Sequence, residues 1–305
     1  MPMPEQSYPS RTGIRSHVRG WATARLLGRT GLLLGFIFLP LAVMPGCGGD
    51  ESQEAGKTTM AGTTTTAETS TASNDVSEPV IDGRFPVGAD GHELAILCLG
   101  EGSSTIILAS GDGDAISQFA GLLDPLAKRT LTCAYDRLGT GQSDPPTERR
   151  RTIDDVVADL HRLLDVAKVP GPYLLVGQSL GGNIAHYYAG RYPARVAGVV
   201  LLDVGPPTGD LGKEFPGPLG WRNPEHVDWV DADRRGVRRL LPLGDIPLVV
   251  VTATEGYESV KQQSAWLRVS SRSRQTTLEG GHDLHEENPD GVVAEIESTL
   301  EAIRG

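Results

Sequence analysis

Two stretches of this sequence hold residue types that together could make and break an acyl bond. The first is Gly177-Gln178-Ser179-Leu180-Gly181, a G-x-S-x-G pentapeptide behind the apolar run Tyr173 to Val176 and ahead of a helical pattern from Leu180. In a sharp strand-to-helix turn the serine sits in a strained backbone conformation, and the flanking glycines leave room for the chain reversal. The free N–H groups and the dipole of the following helix favour negative charge at the serine. The second is Gly280-Gly281-His282, whose paired glycines let a loop after the last strand fold over that turn. A serine hydroxyl is a poor nucleophile until a base takes its proton and a third group orients the base. Ser179 and His282 are therefore the candidate nucleophile and base. The plain alternative for the pentapeptide is a Gly-rich strand–helix turn without chemistry.

The other histidines have weaker contexts. His17 falls in the Arg-rich N-terminal stretch, His161 and His186 within helical patterns, His92 at a strand start, His226 in an insertion, and His285 in a loop where a structural role is expected.

Positioning these groups requires a rigid scaffold, and the chain carries one. Strands are expected near Val80–Val87, Glu93–Leu99, Ser104–Ala109, Thr130–Tyr135, Tyr173–Val176, Val196–Leu202, Ile246–Thr252 and Arg274–Leu278. Helices are expected near Ala115–Arg129, Thr152–Lys168, Leu180–Tyr192, Tyr257–Ser271 and Pro289–Ile303. Thr152 with Asp155 three residues on reads as a helix N-cap, and Ile153, Val156, Val157, Leu160, Leu163 and Leu164 supply the apolar stripe. Continuous runs such as VAGVVLL and IPLVVV are the pattern of parallel strands buried on both faces. The alternation predicts an α/β class, doubly wound sheet of eight mostly parallel strands.

The chain has 305 residues, 39% hydrophobic and 22% charged, with a net charge of -11. Residues 1–46 carry a net +4, so the remainder is close to -15. That balance argues against a nucleic-acid partner, which needs a basic face. The positive charge comes from Arg11, Arg15, Arg19, Arg25 and Arg29, and an uncharged apolar run of 14 residues, Gly31 to Met44, follows. The run is short of the roughly 20 residues a membrane span needs, and basic-then-apolar order is that of a secretory signal. Met44-Pro45-Gly46-Cys47 resembles a bacterial lipobox, which would make Cys47 the lipidated N-terminus. Residues 47–78, with the run Thr63 to Ser73, hold nothing that can bury a core and read as a disordered tether. The expected organisation is a signal peptide over 1–46, a tether over 47–78 and a folded domain over 79–305.

Four segments in order then define a resemblance. Ala109-Ser110-Gly111-Asp112-Gly113 looks like an HG-type oxyanion loop, with Ser110 in place of the usual His. Tyr135-Asp136-Arg137-Leu138-Gly139-Thr140-Gly141-Gln142-Ser143-Asp144 matches a YDRxGxGxSD turn, Gly177 to Gly182 a nucleophile elbow, and Gly280 to His285 with Asn288-Pro289 a terminal GGH…P segment. In these, residues 80–304 resemble the α/β-hydrolase superfamily. The resemblance implies an oxyanion hole from the N–H of Leu180 and an N–H within Gly111–Asp112. It implies a structural, bracing role for Asp136 and Arg137, and a short cap over about 204–244, where Leu219, Trp221 and Trp229 are candidates for an acyl pocket. It implies an acid after the sixth strand, Asp203, with Glu255 after the seventh as the alternative. It also makes the strands of Cys98 and Cys133 neighbours, and with an oxidising compartment implied by the signal this predicts a disulfide.

These readings converge on a lipid-anchored, extracytoplasmic serine hydrolase, carboxylesterase-like, acting on a small-molecule ester through Ser179, His282 and Asp203. No cofactor or metal is implied: Cys47, Cys98 and Cys133 match no zinc spacing, and Gly139-Thr140-Gly141 lies in no phosphate-binding context. The membrane is expected as a partner only through the anchor, and oligomeric state is left open. A proline-iminopeptidase-like amidase, a cofactor-free perhydrolase and a non-catalytic surface binding protein on the same fold are the alternatives.

Overall fold

The computed structural model describes residues 79–88, 91–214, 216–238 and 240–305. The expected signal peptide, lipidation at Cys47 and tether over 47–78 lie outside the described residues.

All eight expected strands form: β1 Pro79–Pro86, β2 Glu93–Leu99, β3 Thr105–Ala109, β4 Thr132–Tyr135, β5 Tyr173–Gln178, β6 Val196–Leu202, β7 Leu248–Glu255 and β8 Ser273–Gly281. They make one sheet in the order β1-β2-β4-β3-β5-β6-β7-β8, antiparallel at β1–β2 and β2–β4 and parallel elsewhere. The principal helices are α1 Ala120–Ala127, α2 Ile153–Val166, α3 Leu180–Arg191, α4 Trp229–Arg238 and α5 Pro289–Arg304.

Side-chain alternation along the central strands divides the core into two layers. Tyr173 and Leu175 of β5 join Leu160 of α2 and Ile184 of α3 on one face, while Leu174 and Val176 join Leu122 of α1 and Ile296 of α5 on the other. Continuous apolar strands are thus explained by cover on both faces. Thr152 and Asp155 form a reciprocal capping box at the start of α2, as the spacing indicated.

The expected helix over Tyr257–Ser271 is instead a short helix, Val260–Gln263, followed by a tighter 3-10 stretch, Ser264–Val269. Its buried residues, Gln263, Trp266 and Val269, recur every third position, the spacing that aligns side chains on a three-residue turn rather than on an α-helix.

Cys98 and Cys133 face each other across the antiparallel β2–β4 pair with Cα atoms 4.0 Å apart and are joined by a disulfide. Between β6 and β7 the insertion spans 203–247, one residue beyond the expected start and three beyond the expected end, and contains α4.

Candidate active site

Ser179 stands between β5 and α3 with φ 51° and ψ -125°. This is left-handed backbone for a non-glycine residue, a strain of roughly 1–3 kcal/mol that the surroundings must impose. They do so through close approach. A Cβ at Gly177 would lie 2.4 Å from Gly181 O, and one at Gly181 2.1 Å from Ala109 O, so the elbow closes only with glycine at both positions. The Ser179 N–H donates to Leu202 O of β6 at 3.1 Å. Leu180 opens α3, so its N–H belongs to the helix's unpaired first turn.

On one side of Ser179 lies an acid–histidine pair. Asp203 follows β6 directly, with φ 46°, and is 2% exposed. Its Oδ2 accepts from His282 Nδ1 at 2.7 Å. Its Oδ1 accepts from Gln263 Nε2 at 2.6 Å and from the Ala253 N–H at 3.2 Å. Gly256 gives the carboxylate its room, since a Cβ there would fall 2.4 Å from Asp203 Oδ2. His282 follows β8 and keeps 21% of its side chain exposed. A carboxylate at Nδ1 holds the proton on that nitrogen and leaves Nε2 as the basic one. Gln178 Nε2 donates to His282 O at 3.2 Å, tying the histidine loop to the residue before Ser179. The Tyr257 ring lies 4.6 Å from the imidazole and is otherwise open to solvent. Of the two carboxylates weighed from sequence, Asp203 meets His282, while Glu255 is exposed at the end of β7.

On the other side is an arrangement the sequence did not reveal. Arg137 is 2% exposed and Glu225, from the insertion, 0%. Glu225 grips the guanidinium in a fork, Oε2 on Nε at 2.6 Å and Oε1 on Nη2 at 2.7 Å. Arg137 Nη1 donates to Ser110 O at 2.8 Å, and Nη2 donates to Gly111 O. Glu225 Oε1 also accepts from the Gly113 N–H at 3.1 Å. In a trans peptide the C=O of one residue and the N–H of the next point in opposite directions. Anchoring Ser110 O and Gly111 O on Arg137 therefore turns the N–H groups of Gly111 and Asp112 away from the guanidinium. Gly111 packs on the elbow, where an added Cβ would sit 3.5 Å from Ser179 Cβ.

Burial pulls the Arg137 guanidinium toward deprotonation, but the charge and hydrogen bonds of Glu225 outweigh it and raise its pKa above the ordinary arginine value. Burial, and next the Glu225 charge, push the Asp112 carboxyl above its usual range, while the hydrogen bond from Trp229 pulls the other way. That bond runs from Trp229 Nε1 to Asp112 Oδ1 at 3.0 Å and joins α4 to the loop after β3. Asp136 braces as expected, accepting from the N–H groups of Ile116 at 2.7 Å and Gln142 at 2.8 Å. No motif marks Glu225: the helical pattern over 225–241 places it at a helix start, whereas the helix begins at Trp229 and leaves Glu225 in the turn before it, 88 residues from Arg137.

Trp229 lines a cavity beside Ser179, whereas Trp221 faces a separate cleft with Arg150 and Asp228, so it is not part of that wall. The side chain of Leu219 lies outside the described residues. His285 is buried against Phe119, ring centres 5.4 Å apart, the structural role expected of it.

The fold and the elbow define a class. The alpha/beta hydrolase fold family matches residues 104–240, and the chain is an α/β-hydrolase-fold protein. Over 207 residues it is 26% identical to the Bacillus subtilis (strain 168) protein YqjL, covering 62% of this chain and 81% of that one. Over 101 residues it is 31% identical to a (lyso)-N-acylphosphatidylethanolamine lipase of Mus musculus, 32% of this chain and 29% of the lipase. It spans less than half the length of further curated relatives it matches. Among solved structures, the enol-lactonase of Burkholderia xenovorans LB400 superposes with a TM-score of 0.58 at 19% identity, over 72% of this chain and all (100%) of that one.

Proposed function

We propose that the protein is a serine hydrolase of carboxylic esters, with Ser179 as nucleophile, His282 as base and Asp203 as the acid that orients it. The observation that carries this is the 2.7 Å contact of Asp203 with His282 Nδ1 in a loop tied to the elbow residue Gln178. In this reading Ser179 Oγ attacks the ester carbonyl carbon as its proton passes to His282 Nε2. The carbonyl π electrons move to oxygen, where the N–H of Leu180 and of the Gly111–Asp112 loop receive the negative charge. The charge then returns, the C–O bond breaks, and the alcohol leaves with the proton from His282. Water repeats the sequence on the acyl-enzyme, releasing the acid and restoring Ser179. Similarity to proteins called a lipase and an enol-lactonase fits an ester substrate. The disulfide fits an oxidising compartment, consistent with an extracytoplasmic domain held by lipid at Cys47.

Labelling with a fluorophosphonate probe tests the reading. Mass mapping should find the adduct on Ser179, absent in Ser179→Ala and slowed in Asp203→Asn. Folded protein that takes no label overturns it.

A further inference from the structure

A cavity of about 140 Å³ adjoins Ser179, walled by Leu180, Asn183, Pro207, Trp229 and Ala232. By volume, about 150 Å³ accommodates a benzene molecule, so this partly open cleft encloses roughly six non-hydrogen atoms. Its walls are fixed. Asp233 of α4 accepts from the N–H groups of Thr208 at 2.9 Å, Gly209 at 3.1 Å and Leu211 at 3.1 Å, pinning the loop after β6 to the helix. A Cβ at Gly236 would lie 2.6 Å from Pro207 Cβ, so α4 is seated directly on that loop. Trp229 is held by its bond to Asp112. Widening the cavity would break several of these contacts at once.

The cavity also has a side. Neither His282 nor Tyr257 lines it. The leaving alcohol takes its proton from the histidine, so its oxygen must face His282. The alcohol then lies toward the exposed Tyr257 ring, and the cavity is left for the acyl group. Its charged lining residues are the acids Asp233 and Glu258, which disfavour a carboxylate on the acyl chain. Asn183 stands one turn along α3 from Ser179, half-buried, and its side-chain amide has no hydrogen-bond partner among the described residues. It is a polar handle in a wall of mixed polar and apolar surface.

Building on the reading of Ser179 as nucleophile, we propose that the substrates are esters of short, uncharged acids with an acyl chain of at most about six heavy atoms. A hydroxyl or keto group on that chain is bound by Asn183. The alcohol portion is unrestricted in size because its side of the site is open.

The test is a series of nitrophenyl esters on the purified full chain: acetate, butyrate, hydroxybutyrate, octanoate and the succinate half-ester. Butyrate should exceed both octanoate and succinate by about 100-fold or more in kcat/KM, since a fixed wall rejects added methylenes and acids reject a like charge. Ala232→Leu should cost butyrate at least about tenfold more than acetate, because it fills the cavity's depth. Asn183→Leu should cost hydroxybutyrate at least about tenfold more than butyrate, which separates loss of the polar contact from a general loss of fold. Fluorophosphonate labelling of Ser179 is run on each preparation. Normal labelling with octanoate turned over as fast as butyrate, or with Ala232→Leu lowering both esters equally, overturns the acyl-size assignment alone. Normal labelling with Asn183→Leu indifferent to the hydroxyl overturns the role of Asn183. Absence of labelling in the folded wild type overturns the nucleophile reading and this inference together.

Discussion

Two buried carboxylates flank Ser179, and they do opposite work. Asp203 holds His282, whose charge changes in the proposed acyl transfer, and the imidazole remains 21% exposed. Glu225 holds Arg137, whose charge does not change, and both side chains are sealed, at 0% and 2% exposed. A group that hands protons to a substrate needs an open face. A group that only fixes geometry gains from exclusion of water, because its bonds strengthen in a low-dielectric surround and its donors must all be satisfied there. All three guanidinium nitrogens of Arg137 are engaged, on Glu225 and on the loop carbonyls of Ser110 and Gly111. In the proposed reaction one carboxylate thus serves proton movement and the other serves the shape of the loop after β3.

The largest break in this comparison is at the first carboxylate. Asp203→Asn should lower kcat by about 10⁴ while leaving the fold intact, because the amide no longer holds His282 in the tautomer with a basic Nε2. Glu255→Gln, on an exposed residue, should change kcat by no more than about twofold. Steady-state kinetics with a thermal melt on each variant decides the matter. Loss in Glu255→Gln with an active Asp203→Asn would transfer the acid's role to Glu255.

The second carboxylate should fail differently. Glu225→Gln strands the buried Arg137 charge and should cost about 3–5 kcal/mol of stability. Slackening the Ser110 and Gly111 carbonyls should cost a further 10²–10³, roughly, in kcat, with KM and the shape of the pH–rate profile retained. Pairing Arg137→Met with Glu225→Met removes both charges. That double variant should regain most of the stability and none of the rate, read by urea unfolding and by initial rates on a short acyl ester. Recovery of rate along with stability would reduce the pair to a packing element.

The two arms also differ in how far they could be read from the chain. Every strand was legible because its signal is local, in β-branched runs such as VAGVVLL, and the elbow because its glycines are imposed by clashes within a few residues. Arg137 was legible as a bracing residue from the turn after β4, but its partner was not. Glu225 meets it across 88 residues, from the junction of a Pro-rich stretch and a helical pattern, where nothing local marks a buried carboxylate. The acid stayed divided between Asp203 and Glu255 because both sit at strand ends near the histidine loop. What separates them is tertiary: the space Gly256 leaves for the Asp203 carboxylate, and Gln263 placed to donate to it. The place of Gln263 is hidden as well, because the pattern over Tyr257–Ser271 predicts one α-helix whereas its buried residues repeat every third position.

A further histidine sharpens the comparison, because it has burial without a carboxylate. His186 in α3 is enclosed, its Nε2 bonded to Leu241 O at 2.9 Å and its ring 5.0 Å from that of Trp266. Burial pushes its pKa from the ordinary 6.5 down to about 4, only partly offset by the carbonyl. Between those values the unfolded chain binds a proton that the folded chain does not, so stability rises with pH across that window and falls on acidification. At about 1.4 kcal/mol per unit, the loss from this one group approaches roughly 3 kcal/mol and levels off below the folded pKa. Urea unfolding followed from neutral pH down to moderately acidic pH should show that decline in the wild type and a shallower one in His186→Gln, whose side chain stays neutral throughout. Equal slopes in the two proteins would mean that His186 takes up its proton as readily folded as unfolded, and that burial does not lower its pKa.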